Sequence, residues 1–199
     1  AIVSKPGTEL SVRDLKGKQV VGPKGTFLHQ LLVAALEKEG MKESDVQFIN
    51  RSIPKALSTI LAGHADAALV ASSALIKANK AGAKTIINAE GLVEPTLVMT
   101  TTKQFVEEHL DIVKRVDKVY AESLQWMKDH PAETAEMGAK EHGISVEDAK
   151  TLMERSHYFD KMTTKDLEDL KVNQKFLRDN GMMRNEVTVE ELVLPVEME

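Results

Sequence analysis

Two short stretches hold the residues whose types and spacing could do chemistry. The first runs from Pro23 through Lys24 and Gly25 to Thr26, between a β-branched run (18–22) and an apolar stretch of helical spacing that starts near Thr26. Gly25 lets the backbone approach a ligand closely. Free N–H groups at a helix start, with the helix dipole, favour an anion. Thr26 adds a hydroxyl, either as N-cap or as ligand donor. Sulfonate, nitrate, carboxylate or phosphate would all suit such a seat, although Gly-Thr is also a common helix cap with no ligand. Phe27 and His29 sit in the same first turn and are counted with the seat. His29 could supply positive charge at low pH, or be a partly exposed histidine without a role. The stretch is not a P-loop, because it lacks the spacer and the trailing Gly-Lys-Ser/Thr, and Pro23 removes a donor that a phosphate cradle would use.

The second stretch is Ser72 and Ser73, just past an apolar run at 65–70. Ligands in open α/β sheets sit outside the carboxyl ends of strands, where two hydroxyls could hold a polar guest. Alternatively one of them caps the helix that follows. Asp66, three residues after Gly63, is read as holding a strand entry. Trp126 lies on a long amphipathic helix and is expected to be buried. Asn50, Arg51 and Ser52 spell a glycosylation triplet, a pattern short enough to arise by chance.

No catalytic constellation stands beside these stretches. The histidines at 29, 64, 109, 130, 142 and 157 include no pair at helical metal-binding spacing, and HExxH and G-x-S-x-G are absent. Zero cysteines exclude disulfides, zinc ribbons, iron–sulfur clusters and thiol catalysis. No cofactor is implied and the chain is read as a non-enzyme. The 199 residues, with 42% hydrophobic and 29% charged side chains, are in the globular range. The longest apolar run, Leu31 to Leu36, falls far short of the ~20 residues that span a bilayer. No charged n-region followed by an apolar stretch opens the chain, so no signal peptide is expected within it. Net charge is −5, divided as +3 over residues 1–100 and −8 over 101–199. An acidic chain with 4% aromatics lacks the basic stripe and stacking rings of a nucleic-acid binder.

The elements that must position the candidates alternate. Strands are expected at 18–22, 46–50, 65–70, 84–88 and 96–101, with helices at 26–39, from Pro54 to Gly63 and at 72–81. Leu28, Leu31, Leu32, Ala35 and Leu36 share one helix face. Alternation of this kind predicts a parallel-type sheet with helices on its faces. After Lys103 the pattern is helical: 111–129 with Asp111 as N-cap, 131–141, a helix capped by Ser145 and Asp148, and 164–180. The division is then a leader at 1–12, an α/β lobe at 13–101 and a helical region at 102–199.

The stretches DLKGKQVVGPKGT (14–26) and ALSTILAGHADA (56–67), with HYFD (157–160) and NGM (180–182) near the end, resemble type II periplasmic substrate-binding proteins of ABC transporters. The branch is the one that takes alkanesulfonates, taurine, nitrate and thiamine precursors, and the match runs over about 2–194. The resemblance implies that 13–101 is the ligand-binding lobe, that 102–199 packs on a first lobe of which this chain holds little, and that Glu94, Pro95 and Thr96 form the hinge where such chains cross between lobes. It implies a small anionic solute as ligand, at Gly25, Thr26, Phe27, His29, Ser72 and Ser73. It further implies an ABC permease as membrane partner and a periplasmic or surface-anchored location. Pyrimidine-precursor synthases resemble these binders, but their signature is a cysteine-rich loop that this chain lacks. The alternatives are the ligand-sensing domain of a regulator and a truncated fragment that binds nothing. An incomplete first lobe would leave apolar faces uncovered, so self-association is expected.

Overall fold

The computed structural model describes residues 1–156, 158 and 162–194. The HYFD stretch of the resemblance lies mostly outside them. The chain forms two compact units. The first comprises Ala1–Pro95 with Val172–Glu186, and the second Thr96–Lys171 with the described part of Val187–Glu199.

The first unit is a five-stranded sheet with helices on both faces. In chain order its elements are β1 (Ile2–Ser4), β2 (Gln19–Gly22), α1 (Phe27–Lys38), β3 (Gln47–Asn50), α2 (Ile53–Leu61), β4 (Ala67–Leu69), α3 (Ser72–Lys80) and β5 (Thr85–Ile87). The spatial order is β3-β2-β4-β1-β5. β2 runs parallel to both β3 and β4, while β1 is antiparallel to β4 and β5. Alternation along the strands divides the apolar residues between two layers. Ile2, Val20, Ala67 and Leu69 face α1, whose Leu28, Leu31, Leu32, Ala35 and Leu36 are buried against them. Val3, Val21, Ala68 and Val70 face α2 and α3 through Ala56, Ile60, Ala74 and Ala78. Each fully buried Leu, Ile or Val contributes about 1.5–3 kcal/mol relative to exposure, so the strands between two helix layers anchor the unit.

Three expectations change. The 1–12 segment is not a free leader, since Ile2–Ser4 pairs on both edges inside the sheet. A strand buried on both faces reads as a plain apolar run, and three residues show no period. The sheet is therefore mixed rather than all parallel. Residues 96–101 form no strand, and Leu97 is 80% exposed. Their composition suits a strand, but no strand among the described residues supplies the ladder.

Two local devices set the strand ends. Asp66 accepts from the Gln19 N–H at 3.2 Å and from the Lys5 ammonium at 3.2 Å. Partial burial alone would raise its carboxyl, but these donors outweigh it and hold the group below the usual carboxylate range. The strand-entry role expected for Asp66 is thus what its contacts show. Gly22 closes β2 against β4, where a Cβ would lie 2.5 Å from the Leu69 side chain.

The second unit, as described, is helical: α4 (Lys103–Glu108), α5 (Leu110–Asp129), α6 (Pro131–His142), α7 (Val146–Arg155) and the first part of α8 (Thr164–Asp179). Beyond Lys171 the later part of α8 belongs to the first unit. Ser145 and Asp148 form the expected reciprocal cap of α7. His109 rather than Asp111 precedes α5, because the separate helix α4 ends there. Ala135, Ala139 and Ala149 pack with Ile144 and Met153 between α6 and α7. Along α5, Ile112, Val116, Val119 and Trp126 are exposed, and Trp126 stacks on His130, at 4.5 Å between ring centres. The expected burial of Trp126 is not observed.

Replacement Gly22→Ala forces Leu69 to shift in a filled core, and overpacking of this kind costs about 1–3 kcal/mol. Urea denaturation should show a correspondingly lower unfolding free energy. An unchanged midpoint would mean that the β2–β4 junction has slack.

Candidate functional site

The turn from β2 into α1 is built by conflicting demands. β2 must end at Gly22 beneath Leu69, and α1 must begin within a few residues to cover the sheet. Gly25 makes the reversal with φ +71, a conformation that costs most side chains. Thr26 is the N-cap residue, with extended backbone, but its side chain does not cap the helix. Its hydroxyl instead donates to the Pro23 carbonyl at 2.9 Å. The first amides of α1, from Thr26 to Leu28, therefore have no acceptor among the described residues. Gly25 and Thr26 are exposed and Phe27 is half-buried against the α1 face of the core.

Two other amides of the turn are already spent. The Lys24 N–H donates to Asn50 Oδ1 at 2.9 Å, and the Gly25 N–H to His29 Nδ1 at 3.2 Å. Gly25 thus contributes shape and open space rather than a free donor, with nothing within 4 Å of where a Cβ would stand.

His29 departs most from expectation. It is fully buried, with its ring stacked on Phe48 at 4.5 Å and edge-on to Phe176 at 6.4 Å. Since a backbone N–H can only donate, Nδ1 must carry a lone pair and the ring proton sits on Nε2. Nε2 lies 3.3 Å from Glu43 Oε1, and this buried nitrogen makes no hydrogen bond of full geometry among the described residues. Burial pushes the imidazole below its ordinary value of 6.5, against the pull of Glu43 and with a small push from Lys24 in the same direction. His29 is a neutral ring behind the turn and not an exposed cation beside it.

The strands flanking β2 bring further loops to the same edge. Because β2, β3 and β4 are parallel neighbours, their carboxyl ends open together. α1 leaves towards one face and α3 towards the other, so the carboxyl ends of β2 and β4 form a topological switch point, where open α/β sheets bind ligands. Gly25 and Thr26 stand at one end and Ser72 and Ser73 at the other. Ser72 is exposed with φ +51, the one positive value outside glycine among the described residues, and Ser73 is half-buried. Neither serine is the N-cap of α3, which is Ala71. Phe27 and His29 are turned into the core. Of the expected hinge residues, Glu94 and Pro95 belong to the first unit and Thr96 to the second, since the division falls between Pro95 and Thr96.

Asn50, Arg51 and Ser52, at the carboxyl end of β3, were not expected in the site. Asn50 ties the β3 loop to the turn, the Arg51 N–H donates to the Gly22 carbonyl at 2.8 Å, and Ser52 opens α2 without a side-chain cap. Their signal was positional, since they follow a strand in parallel with β2. Lys24 and Arg51 are exposed and add positive charge. Among the described residues no group of acidic, histidine or cysteine side chains could hold a metal.

Solved structures share this fold over nearly the whole chain. The alkanesulfonate-binding protein SsuA from Xanthomonas axonopodis pv. citri, bound to MOPS, superposes with a TM-score of 0.80 at 18% identity, over 97% of this chain and 68% of that one. The desulfurization enzyme DSZB superposes with a TM-score of 0.69 at 13% identity, over 98% of this chain and 73% of that one. These likenesses define the class by fold: an α/β periplasmic-binding-protein architecture. In sequence the chain is 31% identical over 129 residues to a putative aliphatic sulfonates-binding protein of Bacillus subtilis, covering 63% of this chain and 39% of that protein. It is 32% identical over 120 residues to the taurine-binding periplasmic protein of Escherichia coli, covering 58% of this chain and 35% of that protein. The pattern of the NMT1/THI5-like family matches residues 2–134, and the chain belongs to that family. The matches span well under half of these two curated relatives.

The His29 shift has a definite sign for stability. The unfolded chain takes up a proton near the ordinary value of 6.5, which the folded ring resists. The unfolded state then binds more protons, so this contribution is complete above that value and is lost as pH falls below it. Urea midpoints should decline from about pH 7 to about pH 5, and His29→Leu should flatten part of the decline. An identical acid slope in the variant would show that burial does not govern this ring.

Proposed function

We propose that the carboxyl edge of β2 and β4 seats a small organic anion, an alkyl sulfonate in the first place and nitrate as a smaller candidate. In this reading the chain is the solute-binding part of an ABC importer. The observation that carries it is the uncapped start of α1. Its amides from Thr26 to Leu28 face an open turn at the switch point, in a chain whose relatives include sulfonate- and taurine-binding proteins. A sulfonate offers three acceptor oxygens and a full negative charge that suits the helix dipole. The Ser72 and Ser73 hydroxyls can donate from the opposite wall, and Lys24 and Arg51 raise the local potential. Gly25 shapes the seat, and Phe27 and His29 support it from behind. Glu94, Pro95 and Thr96 are the hinge about which capture would proceed, with delivery to a membrane permease from a periplasmic or surface-anchored position.

Binding is favoured over catalysis because the one histidine of the turn is committed to the core and the chain has no thiol. The DSZB likeness is one of fold.

Thr26→Asp separates the seat from the helix. A carboxylate at the N-cap accepts from the free amides and should stabilise α1, commonly by about 0.5–2 kcal/mol. The same group fills and repels the seat, so binding of butanesulfonate or taurine by calorimetry should weaken at least about tenfold. Equal affinity in the variant would place the anion elsewhere. Absence of heat from the unaltered chain with sulfonates, taurine and nitrate would favour the fragment that binds nothing.

The exposed apolar stripe of α5 generates a separate expectation. Ile112, Val116, Val119 and Trp126 recur at helical spacing on its surface. The chain should self-associate through this stripe, and light scattering should report a mass above 22.0 kDa that falls when Val116 and Val119 are both changed to Lys. A monomer at all concentrations would count against it.

A further inference from the structure

We infer that His29 is the positioning residue of the anion seat: by accepting the Gly25 N–H, its Nδ1 holds the β2–α1 turn in the shape that leaves the outer amides of α1 to a guest. The inference rests on the seat proposed above and adds a control to it.

Four contacts fix the ring. Phe48 of β3 stacks against it, Phe176 of α8 meets it edge-on, Glu43 approaches Nε2 at 3.3 Å, and the Gly25 N–H reaches Nδ1 at 3.2 Å. The charged groups acting on it are Glu43, from the short turn before β3, and Lys24, from the seat itself. β3 and α8 present the two phenylalanines to it, and the α8 residues that flank Phe176, Lys175 and Asp179, pair with each other. The lone pair of the buried ring is spent on the amide of the left-handed glycine of the turn.

The consequence is a sign. A cationic ring beneath the seat would attract an anion and tighten binding in acid. Protonation at Nδ1, however, sets one donor against another across 3.2 Å, and the turn must give way. With the ring fully buried, its new Nδ1 proton finds only another donor at Gly25, and the turn moves to relieve that unmade bond, which is the larger effect. Anion affinity therefore falls as His29 takes up a proton.

Proton–nitrogen NMR of the ligand-free chain comes first. The ring should carry its proton on Nε2, and the Gly25 amide should shift with the same midpoint as the ring. A proton on Nδ1, or a Gly25 amide indifferent to the ring, overturns the inference. Calorimetry with butanesulfonate, whose charge is constant across the range, should then show binding about three- to tenfold weaker at a pH below the ring's NMR midpoint than near pH 8. His29→Asn keeps an acceptor close to the position of Nδ1 and does not titrate, so it should bind like the unaltered chain near pH 8 with a flat profile. His29→Leu fills the space without an acceptor and should be weaker at both pH values by a similar factor, while circular dichroism remains native. Tighter binding in acid, or native affinity in His29→Leu, overturns the positioning role and leaves the seat standing. No heat at either pH overturns the seat, and the inference with it.

Discussion

Everything at the candidate site depends on one constraint: β2 is buried on both faces between parallel neighbours. Val20 and Val21 point into opposite layers and neither can reach water. That fixes the direction of β3, β2 and β4 together and brings three carboxyl ends to one edge. It also sends α1 to one face while α2 and α3 go to the other. The switch point at the edge follows from that division and not from any single side chain.

Within that frame the turn has to manage its backbone donors. A helix start leaves several N–H groups without internal partners, and a cap normally satisfies some of them. Here the inner donors of the turn are satisfied by side chains from elsewhere, Asn50 and His29, while the N-cap residue turns its hydroxyl back to Pro23. The outer donors stay available. Rigidity comes from the inside of the turn and availability from the outside, which is what a preorganised seat for a charged guest requires.

Much of this was legible in the chain itself. The α1 stripe of Leu28, Leu31, Leu32, Ala35 and Leu36 is a strong periodic signal, and each of those residues is buried. The parallel trio was readable because each strand is followed by a helix and a turn residue. β1 was not, since three residues between Ala1 and Lys5 carry no period, and their place in the sheet is decided by partners far along the chain. Residues 96–101 fail in the opposite way, having strand composition and no partner strand among the described residues. His29 was read as an exposed candidate because helical spacing alone places it one position from Leu28. Its burial comes from Phe48 and Phe176, which sequence cannot bring together. Asn50 escaped notice because a side-chain acceptor for a distant amide leaves no local pattern.

The placement of His29 also bears on how specificity for a strong acid's anion could arise. A seat that relied on a mobile cation would hold any anion and vary with salt, since exposed charge is screened. A seat built from fixed amides, held by a neutral ring, instead selects by the positions of acceptor oxygens. The cost is a buried imidazole with an unsatisfied Nε2. Glu43, 3.3 Å away, pulls the ring towards its charged form, but burial outweighs that pull, so the ring stays neutral with its Nδ1 lone pair facing Gly25. A better hydrogen bond to Glu43 would favour the imidazolium and undo the lock.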